Sequence, residues 1–268
     1  MPMMDSQRVT GQVAASRMRI LILGGTTEAS ALARLLAGDA RFETTLSLAG
    51  RTIAPKPQPI RTRSGGFGGA EALAHWLRGN ATEAVIDATH PYADRISANA
   101  VAACATAGVP LVSIVRAAWQ QQPGDNWQIV PSADAAAAAL GATPRRVFLS
   151  LGRLELDAFV QAPQHRYVAR LIDPPDVAVP PDIAFLSARG PFDKQAETDL
   201  LTAEKIDVIV SKNSGGAATY PKIEAARELG LPVIIIERPH KAAGHAVTSP
   251  EEAIAWLGAH DRASLRGV

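Results

Sequence analysis

Cysteine is almost absent from this chain: Cys104 is the only one in 268 residues. A single thiol excludes an internal disulfide framework and a multi-cysteine zinc site, so no metal site is expected and a reducing compartment, the cytoplasm, is the expected location. Charge of one sign is missing too, since 27 Lys and Arg face 26 Asp and Glu, a net +1. Without a basic footprint to neutralise phosphates, nucleic acid is not an expected partner, and an acidic ligand must be met by local groups. No apolar run reaches the ~18–20 residues of a membrane span, so no membrane association is expected. Residues 1–17 lack the apolar core of a signal peptide. They read as a flexible leader, with Met18 as an alternative start.

Lysine is scarce, at 6 against 21 arginines. Arginine suits bidentate binding of carboxylate or phosphate, but the excess also fits a compositional bias that enriches alanine, so only arginines at strand ends carry weight.

What the chain does have is 47% hydrophobic residues and a length that suits one large or two small domains. Apolar runs at 19–23 (RILIL), 45–49 (TLSLA), 84–87 (AVID), 110–115 (PLVSIV) and 128–130 read as strands separated by helices. Continuous apolar strands alternating with helices predict parallel sheets covered on both faces. The second half repeats the first: RVFLSLG echoes RILILGG, and VIVSKNSGG followed by KIEAARELGLPVIIIERP mirrors VIDATHPYA followed by NAVAACATAGVPLVSIVRA. Residues 127–141 parallel 245–258, each a short strand, a Ser-capped start and a helix closing at Leu-Gly. The expected fold is α/β, with two similar doubly wound domains, mainly parallel sheets and an interdomain cleft. The expected division is 18–142 and 143–260, with a tail at 261–268 and the boundary near the Gly- and Pro-punctuated stretch 141–145.

Ligands of open α/β sheets bind at the carboxyl ends of the strands, so the turns there are the candidate sites. After the first strand, Gly24, Gly25, Thr26, Thr27 and Glu28 lead into a helix whose N-terminus can receive a diphosphate. Glu28 either stabilises that helix or hydrogen-bonds a ribose hydroxyl. Arg51, after the second strand, favours a 2′-phosphate, hence NADP over NAD. The glycine-rich stretch 64–69 either lets backbone approach a ligand or forms a mobile loop. Thr89, His90 and Tyr92 follow the apolar run at 84–87 and bring proton-exchanging groups to the cleft. The matching turn of the second half is Lys212, Asn213, Ser214, Gly215 and Gly216. Its lysine can neutralise an anion, or donate a proton if burial lowers its pKa.

At these turns the sequence resembles the precorrin-6A reductases of cobalamin biosynthesis. The matching stretches are LILGGTTEA, AGR, VIDATHPYA, SANAVAACATAGVP, VFLSLGRLEL, ARGPF, SKNSGG and KIEAARELGLPVIIIERP, spanning roughly residues 19–239. The resemblance implies two Rossmann-like domains and an NADPH-dependent oxidoreductase that reduces a carbon–carbon double bond of a tetrapyrrole, giving precorrin-6B. It implies NADPH as the cofactor, held by Gly24 to Glu28, Arg51 and Thr89. His90, Tyr92 and Lys212 become the candidates for supplying or orienting a proton. Arg116, Arg153, Arg170, Arg189 and Gly190, with Asn213 to Gly216, become the candidate contacts to a polycarboxylated ring, and neighbouring enzymes of the pathway become candidate partners. Two other classes fit a two-domain nucleotide fold: a non-catalytic ligand-binding protein that closes like a hinge, and a transferase using a nucleotide-linked donor.

Overall fold

In the computed structural model the described residues are 17–50, 52–242 and 244–266, the last six without their side chains. Residues 1–16 of the leader, Arg51 and the end of the tail lie outside them. The strands are β1 (Met18–Leu23), β2 (Phe42–Leu48), β3 (Arg61–Ser64), β4 (Ala84–Asp87), β5 (Leu111–Ile114), β6 (Asn126–Val130), β7 (Arg146–Ser150), β8 (Arg166–Leu171), β9 (Ile183–Ser187), β10 (Val208–Lys212), β11 (Pro232–Ile236) and β12 (His245–Val247). The helices are α1 (Thr27–Leu36), α2 (Ala70–Gly79), α3 (Asp94–Ala107), α4 (Ala133–Ala139), α5 (Lys194–Ala203), α6 (Pro221–Glu228) and α7 (Pro250–Arg266).

Two six-stranded sheets result, ordered β12-β5-β4-β1-β2-β3 and β6-β11-β10-β7-β8-β9. All strand pairs are parallel. Ile20, Leu21, Ile22 and Leu23 of β1 are all buried, as a central strand covered by helices on both faces requires. Thr26 caps α1 by accepting the Ala29 N–H at 3.1 Å, and α3 ends at Gly108, whose φ of 70° makes a left-handed cap. The expected serine caps are present: Ser132 accepts from Ala135 N at 3.1 Å and Ser249 from Glu252 N at 3.2 Å.

The sequential division at 141–145 needs correction. Strand β6 pairs with β11, and β12 pairs with β5, so each half gives its last strand and helix to the other. Val130, Ala136, Ala137 and Leu140 pack with Val147, Leu149, Val208 and Ile234. Val247, Ala253 and Leu257 pack with Ile20, Ile22, Val112 and Ile114. A repeat identifies equivalent elements but not which copy each joins, because exchanged elements make the same contacts. Residues 115–125 and 237–244 are therefore the two crossovers, and they meet where Arg238 donates to the carbonyls of Arg116 and Ala117 at 2.8 and 3.1 Å.

Candidate active site

Strand order in the first sheet reverses between β1 and β4, the position where doubly wound sheets open a ligand crevice. A cavity of about 410 Å³ lies there, walled by Thr26, Glu28, Thr89, Arg116, Arg238 and Lys241 among others. The turn after β1 needs its glycines. A Cβ on Gly24 would lie 2.6 Å from Leu46 Cδ1, whereas Gly25, at φ +116°, faces open space. Thr26 Oγ1 donates to the Ala88 carbonyl at 2.7 Å, fixing the start of α1 against the end of β4.

Glu28 accepts from Arg116 Nη1 at 2.7 and 2.8 Å, and Arg116 Nε donates to the Ser214 carbonyl at 2.6 Å. Burial of Glu28 favours its neutral form, but the hydrogen bonds and charge of Arg116 outweigh this and hold the carboxyl below its usual range. Asp87, 1% exposed, accepts from Thr89 N, Thr89 Oγ1 and Ser97 Oγ at 3.0, 2.6 and 2.6 Å.

The turns after β4 and β10 come together across the seam, where Asn213 N donates to the Tyr92 hydroxyl. The ammonium of Lys212 lies 4.9 Å from the centre of the Tyr92 ring and pairs with Glu155. His90 Nδ1 accepts from Tyr92 N at 3.3 Å, which assigns its proton to Nε2. Burial, reinforced by the charges of Arg116, Lys212 and Arg238, pushes the His90 pKa down to about 3. This imidazole is neutral near pH 7, so its Nε2–H can donate a hydrogen bond but is not an acidic proton.

Two expectations are corrected here. The Tyr92 hydroxyl donates to the Ile236 carbonyl and accepts from Asn213 N at 2.8 Å. Burial pushes its pKa up to about 12. It is committed to holding two backbone segments together and is not an available proton source. Arg170 is no surface clamp: its side chain is 7% exposed, pairs with the 1% exposed Glu197, and stacks 3.6 Å from the centre of the Phe192 ring. A strand-end arginine reads the same in sequence whether it faces solvent or a buried carboxylate.

The other candidates are dispersed. Arg153 lies 3.7 Å from Asp176, and Arg189 donates to the Ala54 carbonyl at 3.2 Å. Gly190 precedes Pro191 and packs against Phe192. Asn213 holds Trp119 through both backbone groups, at 2.7 and 3.0 Å. Gly215 is indispensable, since a Cβ there would lie 2.0 Å from the Ala117 carbonyl oxygen and 2.2 Å from Arg238 Nη2. Gly216 lies against the Arg116 guanidinium.

Sequence reasoning missed Glu155, Arg238 and Lys241. Arg238 was within reach, because it is the repeat counterpart of Arg116. Lys241 has no local signal, since its place depends on the crossover.

Paired doubly wound sheets with ionisable side chains gathered at their strand ends define a two-domain α/β enzyme. Residues 19–258 match the family model "Precorrin-6x reductase CbiJ/CobK", and the chain belongs to that family of oxidoreductases. It is 51% identical over 251 residues to precorrin-6A reductase of Rhodobacter capsulatus, covering 93% of this chain and 99% of the relative. To precorrin-6A reductase of a Sinorhizobium species it is 52% identical over 243 residues, covering 90% and 93%. A solved structure of CobK precorrin-6A reductase superposes with a TM-score of 0.86 at 51% identity, covering 91% of this chain and 97% of that one. Among the described residues no helix is long and apolar enough to cross a membrane, and no cluster of three or more His, Cys, Asp or Glu is placed to hold a metal.

Proposed function

We propose that this enzyme reduces precorrin-6A to precorrin-6B with NADPH, in the cytoplasm, as a step of cobalamin biosynthesis. The observation that carries the cofactor reading is the cavity between the ends of β1 and β4, which brings Thr26 and Glu28 at the N-terminus of α1 together with the cations Arg116, Arg238 and Lys241. These residues fit a dinucleotide: Thr26 takes up the Ala29 N–H, the N–H groups of Thr27 and Glu28 have no partner within the helix, and Gly25 leaves space for a close approach. Arg51 remains the candidate for the 2′-phosphate. NADPH, when bound, supplies the hydride.

The chain supplies position, electrostatics and the proton. Neutral His90 offers its Nε2–H to orient a bound group. Of the three proton candidates, Lys212 is the one left to donate, from beside Tyr92 at the seam. Its Nζ holds the proton destined for the carbon next to the one that receives hydride, and Glu155 steadies the ammonium until then. Arg153 and Arg189, with the 213–216 turn, provide contacts for the carboxylates of a wide flat ring. Neighbouring enzymes of the pathway fit as suppliers and acceptors of the macrocycle.

Lys212→Met tests the assignment. NADPH binding should be retained while turnover with precorrin-6A falls by about 10²–10⁴, the usual contribution of a positioned acid. Turnover near wild type would remove Lys212 from the role.

A further inference from the structure

The crossover at 237–244 leads the chain from β11 to β12, from one sheet to the other, and it places Arg238 and Lys241 in the cavity wall. The two cations are occupied differently. Arg238 uses Nε, Nη1 and Nη2 on the carbonyls of Asn213, Arg116 and Ala117, at 2.7, 2.8 and 3.1 Å. Lys241 Nζ lies 3.1 Å from Thr89 Oγ1, 3.3 Å from Thr89 O and 3.3 Å from Asp87 Oδ2. All three distances exceed the roughly 2.7–2.9 Å of a well-made charge-assisted bond. Asp87 does not depend on the lysine for its hydrogen bonds, because Thr89 and Ser97 already supply three. The ammonium is thus held at the end of β4 with its donors under-used, on the same cavity as the first turn of α1.

We propose that Lys241 is a cofactor-binding residue that, together with the N-terminus of α1, holds the diphosphate of NADPH. The inference rests on the NADPH reading above and goes further by giving the strand exchange a role: the crossover delivers a cation to the nucleotide crevice of the first sheet. Cofactor binding is then linked to the seating of β12 and α7.

The competing explanation is that Lys241 only neutralises buried Asp87, and a double variant separates the two. NADPH affinity of the full chain is measured by fluorescence titration, with thermal midpoints recorded in parallel. Lys241→Met should weaken binding about 10- to 100-fold, the loss of one charge-assisted bond, and the deficit should narrow as salt is added. Lys241→Arg should recover most of it. Asp87→Asn combined with Lys241→Met should restore the thermal midpoint while leaving binding weak. Recovery of affinity together with stability in that double variant would overturn the proposal, as would equal binding by wild type and Lys241→Met. Should the double variant not fold, the salt dependence and the Lys241→Arg recovery decide. A wild type that binds no NADPH would instead remove the reading beneath it.

Discussion

Glu28, in the first turn of α1, and Arg116, at the start of the first crossover, are joined by contacts of 2.7 and 2.8 Å, and the same guanidinium reaches on to Ser214 in the second half. A carboxylate that in sequence reads as a helix-dipole partner is one side of an interdomain bridge. Arg116→Met should cost about 1–3 kcal/mol, typical of losing hydrogen bonds to a charged group. The lowered Glu28 pKa stabilises the wild type above the unfolded value of 4.5, and this contribution is lost as pH falls through the lower folded value. In Arg116→Met burial is opposed only by the Glu28 backbone and Thr27 hydrogen bonds, so the acid transition should move to higher pH in urea midpoints measured across pH.

His90 carries the opposite charge type but the same sign of pH dependence. Its folded pKa of about 3 lies below the unfolded 6.5, so between those values the unfolded chain binds more protons. Its contribution is present above pH 6.5 and declines as pH falls toward 3, with a slope approaching about 1.4 kcal/mol per pH unit. His90→Asn, whose Oδ1 can accept from Tyr92 N as Nδ1 does, should flatten that slope in denaturant midpoints.

Arg170 and Glu197 form a buried pair, and removing one partner leaves the other charge stranded. Arg170→Met should destabilise by about 3–5 kcal/mol while the KM for tetrapyrrole in the surviving folded fraction stays near wild type. A raised KM with unchanged stability would restore Arg170 as a substrate contact.

The strand exchange makes a prediction about fragments. Chains ending at 142 or beginning at 143 each lack the edge strand and helix that complete their own sheet. Circular dichroism and hydrogen exchange should find neither cooperatively folded alone, and mixing the two should recover the native signal.

Much of the fold was legible because the chemistry is local. Apolar runs gave β1, β4 and β5, the serine caps gave the starts of α4 and α7, and the repeat gave the equivalence of the halves. Strand β3, with the polar sequence Arg61 to Ser64, carries no apolar run and exists through its pairing with β2. The exchanged units were misplaced because nothing within 127–141 or 245–258 specifies which sheet edge receives them. At the site, residue types at strand ends single out turns that the fold brings to one seam. Which groups remain free was set by partners distant in the chain: Ile236 for Tyr92, Glu197 for Arg170, Glu155 for Lys212.

The reductase activity is read out by mixing the purified enzyme with NADPH and precorrin-6A and following NADPH absorbance and the tetrapyrrole product together. NADPH should be oxidised only when the tetrapyrrole is present, one equivalent per macrocycle reduced, and with a marked preference over NADH. No NADPH binding by a folded protein, or oxidation that proceeds equally without the tetrapyrrole, would contradict the proposed function.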